Sequence, residues 1–113
     1  MRVFVIGGTG LVGSNIVKRC HAEGIPVCGS SRSNEDADVT LDKNDLAGTK
    51  QEFRDFDPDL VVDTAAFHAV DDCEMERDRA WKTNATGTRN AAVAADAVDA
   101  QFVYLSTDYV FPG

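Results

Sequence analysis

Short apolar runs alternate along the chain with longer stretches in which apolar residues recur every three or four positions. Arg2–Ile6 is the first run and reads as a strand. Leu11, Val12, Ile16, Val17 and Cys20 follow at helical spacing until Gly24 stops them. Pro26–Ser30 forms a second candidate strand and Asp38–Leu41 a short third. Thr49-Lys50-Gln51-Glu52 has the form of a capping box, which predicts a helix start there with Phe53 and Phe56 on one face. Asp57 precedes Pro58 and so avoids helical geometry, which ends that helix. Leu60–Thr64 reads as the fourth strand, a stretch from about Cys73 to Val98 as a long helix, and Gln101–Ser106 as the fifth strand. Apolar strands separated by helices imply a parallel sheet covered on both faces. With right-handed crossovers the expected order is 3-2-1-4-5, an α/β doubly wound parallel sheet forming one domain over residues 1–113.

Composition narrows the function classes. Hydrophobic residues make up 43% and charged residues 27%, as in soluble globular proteins. No apolar run approaches the roughly 20 residues that span a bilayer, so no membrane is expected as a partner. Met-Arg-Val-Phe-Val-Ile enters a strand directly, unlike a secretion signal. Nineteen acidic against eleven basic side chains give a net charge of −8, which argues against nucleic acid. The acids are spread along the chain, a solvated coat of the kind that suits a salty cytoplasm. Cys20, Cys28 and Cys73 lack metal-type spacing and read as buried, reduced thiols of a cytoplasmic protein.

The densest chemistry lies in "VFVIGGTGLVGSNIV", whose glycines fit two registers, Gly8-x-Gly10-x-x-Gly13 and Gly7-x-x-Gly10-x-x-Gly13. Either way the turn needs positive φ, close approach of backbone to a diphosphate, and a last glycine that packs helix on strand. Free N–H groups at the helix start then face the diphosphate. Gly7, Thr9, Gly10, Leu11, Val12 and Gly13 are therefore expected to bind a dinucleotide. An NAD site usually carries an acid at the end of the second strand. Here Ser31 stands 18 residues after Gly13, within Gly29-Ser30-Ser31-Arg32-Ser33. Without a carboxylate there, Arg32 can fork onto a 2′-phosphate with Ser31 or Ser33 beside it, which favours NADP(H) over NAD(H).

Further along, Asp42 either accepts a hydrogen bond from an adenine amino group or serves as a helix-entry acid ahead of Asn44. Ala65 and Ala66, followed by Phe67, end the fourth strand at the switch point, where small residues let a cofactor lie on backbone. His68, Asp71, Asp72, Cys73 and Glu74 do not make a metal site, because Asp71 with Glu74 looks like a capping pair. Trp81, Asn84, Thr88, Ala91 and Ala95 share one face of the long helix, and Asn84 and Thr88 would be buried polar groups in need of partners. Ser106 and Thr107 sit at the carboxyl end of the fifth strand, beside the crevice where such sheets bind ligands. No G-x-S-x-G elbow surrounds either hydroxyl, so a hydrolase is not expected.

The segments "GGTGLVG", "DPDLVVDTAAFHAVDDCE", "TNATGTRNAA" and "YLSTDYVFPG" occur in the order and spacing of a known family. Through them the chain resembles the extended short-chain dehydrogenase/reductases, whose cofactor domain is Rossmann-like, and within them the dTDP-4-dehydrorhamnose reductases. The resemblance implies NAD(P)H-dependent reduction of a 4-keto nucleotide sugar in dTDP-rhamnose synthesis. It assigns Gly7, Gly10 and Gly13 with Leu11 and Val12 to the diphosphate, Ala65 and Ala66 to the cofactor wall, and matches Asn84 to the family's helix asparagine. Thr107 takes the place of the catalytic Ser/Thr that polarises the keto group. His68 stands where many members have threonine.

The family's proton donor, a tyrosine followed four residues later by lysine, has no counterpart: Gly113 stands four residues after Tyr109. The expectation is therefore the N-terminal, cofactor-binding part of a longer enzyme, inactive alone, with "QFVYLS" as an uncovered apolar sheet edge. The expected partners are a nucleotide-sugar substrate in the full-length enzyme and a second copy of the chain. Rival readings are another nucleotide-sugar epimerase or dehydratase of the superfamily, and a non-catalytic NADP-binding regulatory module.

Overall fold

The computed structural model describes residues 1–32, 36–64 and 77–105, with backbone alone over 77–85. Five parallel strands form one sheet in the order β3-β2-β1-β4-β5. They are β1 (Val3–Ile6), β2 (Val27–Ser31), β3 (Val39–Thr40), β4 (Leu60–Asp63) and β5 (Gln101–Tyr104). Among the described residues three helices connect them: α1 (Leu11–Ala22), α2 (Leu46–Phe56) and α3 (Arg77–Ala97). The sequence-based order 3-2-1-4-5 is thus the observed one. In register, Ile6 lies beside Ser30 on one side and Asp63 on the other, and Asp63 beside Tyr104.

Because successive strand side chains point to opposite faces, β1 supplies two cores. Val3 and Val5 join Val62 and Cys20 under α1, with Ile16 and Val17 packed against them. Phe4 and Ile6 join Cys28, Leu41, Phe53, Val61, Ala91, Ala94 and Ala95 under α2 and α3. Phe4 and Phe53 meet edge-to-face at 4.9 Å, and Phe56 closes the same cluster. The small face expected on the long helix is present as Ala91 and Ala95, both fully buried.

Three local expectations are corrected. Helix α2 begins before the capping box: Asp45 is the N-cap, its side chain accepting the Gly48 N–H at 3.1 Å. Thr49 is a buried first-turn residue whose hydroxyl donates back to the Asp45 carbonyl at 2.8 Å, so it cannot also cap. An aspartate is as good an N-cap as threonine or better, and the earlier start buries Thr49 as well. Leu11, placed on the apolar face of α1, is 80% exposed at its head. β3, β4 and β5 also stop short of their expected ends while β2 runs one residue past its own, and Leu41, Thr64 and Leu105 still donate to Ser31, Ile6 and Asp63 carbonyls.

At its C-terminus α2 closes on Asp57, whose left-handed φ of 55° precedes Pro58 as expected. Cys20 and Cys28 are buried free thiols, while Cys73 lies outside the described residues. Burial, then the Asp38 and Glu52 charges, push the Cys28 thiol up to about 11, so it stays protonated. Among the described residues no helix is long and apolar enough to cross a membrane. β5 ends the strand order, and Val103 and Tyr104 on it are exposed.

Candidate functional site

The glycine turn is built by backbone. Gly7 takes a φ of 83°, which a side-chain-bearing residue rarely adopts, and Gly7 and Gly8 both donate to the Ser30 carbonyl at 3.0 and 2.8 Å. A Cβ on Gly8 would stand 2.7 Å from the Gly29 Cα, and one on Gly13 only 2.0 Å from the Gly7 carbonyl oxygen. Both registers of the motif are therefore used: Gly7 for conformation, Gly8 for contact with β2, and Gly13 for contact between helix and turn. Gly10 closes the turn by donating to the Gly7 carbonyl at 3.1 Å and is the N-cap of α1.

That cap has no side chain to fold over the helix end, and the first turn contains no acid. The leading N–H groups of α1, at Leu11, Val12 and Gly13, have no carbonyl one turn back within the helix. Donors and helix dipole point the same way, which suits a diphosphate. Thr9 lies inside this turn and Leu11 stands exposed at its rim.

At the end of β2, Ser31 is half-buried and Arg32 exposed. The Arg32 Nε lies 3.9 Å from Asp42 Oδ2. Both side chains are largely in water, so the pair contributes little to stability. It sets the Arg32 side chain, just past β2, beside Asp42, just past β3. Asp42 Oδ1 accepts the Asn44 N–H at 2.9 Å. The acid therefore shapes the turn ahead of the helix, and the N-cap role falls to Asp45.

The sequence reading missed a buried charge pair. Lys43 Nζ donates to Asp63 Oδ2 at 2.9 Å and to Thr88 Oγ1 at 3.2 Å, and lies 5.9 Å from the centre of the Tyr104 ring. Asp63 is fully buried and Lys43 nearly so. Thr88 was expected to need a partner, and Lys43 is that partner. One signal was available: an aspartate ending the apolar run Leu60-Val61-Val62 demands a counter-charge if it faces the core. Thr64 was missed too. Its buried hydroxyl donates to the Ile6 carbonyl at 2.8 Å and approaches the Gly7 carbonyl at 3.2 Å, which ties the end of β4 to the glycine turn.

Ala65, Ala66, Phe67, His68, Ser106 and Thr107 lie outside the described residues, as do Ser33 and the side chain of Asn84. The described part of the site brings together Gly7–Gly13, Ser31, Arg32 and Asp42 along the carboxyl ends of β1, β2 and β3. Among the described residues no three His, Cys, Asp or Glu side chains form a metal cluster.

Residues 1–113 match the family described as the RmlD substrate binding domain. A probable low-salt glycan biosynthesis reductase of Haloferax volcanii is 36% identical over 117 residues, spanning 100% of this chain and 39% of that protein. A dTDP-4-dehydrorhamnose reductase of Streptomyces griseus is 36% identical over 112 residues, 99% of this chain and 35% of its own length. Among solved structures, the Bacillus anthracis dTDP-4-dehydrorhamnose reductase in complex with NADP has a TM-score of 0.80 at 34% identity, covering 99% of this chain and 38% of that one. The Thermus thermophilus UDP-glucose 4-epimerase in complex with NAD has a TM-score of 0.75 at 27% identity, covering 87% of this chain and 34% of that one. The chain thus spans less than two fifths of each of these four proteins, and it belongs to the RmlD substrate binding domain family.

Proposed function

From that membership we propose that residues 1–113 are the cofactor-binding part of an NADPH-dependent reductase acting on a 4-keto nucleotide sugar, as in dTDP-rhamnose synthesis. The observation that carries this is the pairing of a side-chain-free diphosphate cradle at Gly7–Gly13 with Arg32 at the neighbouring strand end. The cradle gives the diphosphate backbone donors and excludes any Cβ from the approach. Arg32, already turned toward Asp42, can exchange that distant carboxylate for a 2′-phosphate, a better match for its planar fork. Ser31 lies beside it, and Asp42 lines the adenine side.

A bound nicotinamide supplies a hydride to the keto carbon. In this reading Ala65, Ala66, Phe67 and Ser106 line the cofactor, Asn84 holds the strand ends apart, and Thr107 meets the substrate. Thr107 donates a hydrogen bond to the keto oxygen and so stabilises the charge developing there. No Tyr-x-x-x-Lys occurs within the 113 residues, so the proton for the alkoxide comes from elsewhere in the complete enzyme and this chain alone reduces nothing. A cytoplasmic enzyme, working as a homodimer, is the accompanying expectation.

Titration of the chain with NADPH and NADH tests the cofactor assignment. NADPH should bind at least roughly tenfold more tightly, and Arg32→Ala should remove that preference by weakening NADPH alone. Equal affinities, unchanged by the substitution, would point instead to the NAD-bound epimerase reading that the Thermus thermophilus likeness supports. For the reaction, the native polypeptide containing these residues should oxidise NADPH when given a 4-keto nucleotide sugar. Binding without turnover would favour a regulatory module.

A further inference from the structure

We infer that Lys43 is a positioning residue: buried beneath the adenine side of the cradle, it sets the Asp42 loop and the end of β4 relative to each other. The inference rests on the cofactor reading above. Lys43 follows Asp42 directly, and its side chain runs inward where that of Asp42 remains exposed. The ammonium reaches Asp63 at the end of β4 and Thr88 on α3. Asp63 is followed by Thr64, whose hydroxyl holds the Ile6 and Gly7 carbonyls. One cation therefore connects the Asp42 loop, the glycine turn and the long helix.

The same loop is gripped a second time from α3. Asn90 Nδ2 donates to the Lys43 carbonyl at 3.1 Å and to the Asn44 carbonyl at 3.3 Å. Helix α3 also makes room for the lysine. A Cβ on Gly87 would stand 2.7 Å from the Lys43 Cγ and 2.9 Å from its Cε, so glycine there leaves a channel for the aliphatic stem.

Stability alone does not account for such a pair, because apolar residues of similar volume generally serve a core as well as a buried ion pair or better. What the pair adds is a directional contact at one atom, Lys43 Nζ, between the loop, β4 and α3. Here that contact fixes where the backbone of Asp42 sits relative to the Gly7 turn.

The test compares Lys43→Met, Asp63→Asn and the double variant by thermal melting and by titration with adenosine 2′,5′-bisphosphate, which carries the adenine and 2′-phosphate alone. Lys43→Met should lower the melting temperature by leaving Asp63 buried without its cation. The double variant should recover most of that loss yet bind the bisphosphate roughly tenfold more weakly than the parent, a typical coupling between sites. Amide exchange at Asn44 and Asp45 should quicken in the double variant alongside. Gly87→Ala, which crowds the lysine stem without changing any charge, should also weaken the bisphosphate. A double variant with both parental melting and parental affinity would overturn the inference while leaving the cofactor reading intact, as would Gly87→Ala with unchanged affinity. A parent chain that does not bind the bisphosphate overturns both.

Discussion

The two sides of the sheet build their shares of the cradle by opposite means. Under α1 the work is done by missing side chains: Gly8 and Gly13 let strand, turn and helix close to distances that a Cβ would forbid, and Gly7 supplies the left-handed φ. Under α2 and α3 it is done by side chains that are present, an aromatic core on Phe4 and Phe53 topped by the Lys43–Asp63 pair. On the first side the glycines all fall within one short segment, Gly7–Gly13, although Gly8 closes on Gly29 of β2. The second joins residues 20 and 45 positions apart in the chain. A site made of both is only as well defined as the non-local half.

Substitutions can break this contrast or sharpen it. The largest effect on folding is expected from Phe53→Ala, which empties the centre of the α2/α3 core at a cost of about 3–5 kcal/mol. Urea denaturation should show it, while folded protein keeps its NADPH affinity. Weakened binding without lost stability would erase the division between core and cradle.

Gly13→Ala should come next, at about 2–3 kcal/mol, since its Cβ meets a backbone oxygen that cannot step aside. Here NADPH affinity should fall with stability, because the helix start moves away from the turn. Parental affinity in this variant would mean that the turn yields rather than the helix.

The smallest expected effect is a pH dependence confined to the α2/α3 side. Cys28 is held near 11 in the folded protein against an ordinary 9.0. The unfolded chain releases this proton first, so the contribution is constant below pH 9 and stability falls as pH rises from 9 toward 11. Cys28→Ala should remove that part of the decline, read from denaturation midpoints along the same range.

What could be read from the sequence follows the same division. Alternating apolar runs and glycine spacing are local signals, so the strand order and the Gly7–Gly13 turn were legible. The start of α2 was not, because Asp45 and Thr49 are both valid caps and only the burial of Thr49 decides between them. Lys43 was hidden for another reason: a lysine in a polar loop is exposed by default. Its burial depends on Asp63 and on a channel left by Gly87, residues that no local window contains together with it. Leu11 shows the converse. Its spacing suits an apolar face, but the first turn of α1 opens toward the mouth of the site rather than the core.

The position of β1 in the sheet bears on how the protein is made. β1 comes first in chain order yet pairs with β2 and β4, Val3 lying beside both Val27 and Leu60. During synthesis at roughly 5–20 residues per second, β1 would wait some seconds between its two neighbours. Until then its second edge is open, and the Gly7 carbonyl lacks the Thr64 hydroxyl. The glycine turn is therefore translated well before Thr64, the residue whose hydroxyl completes it.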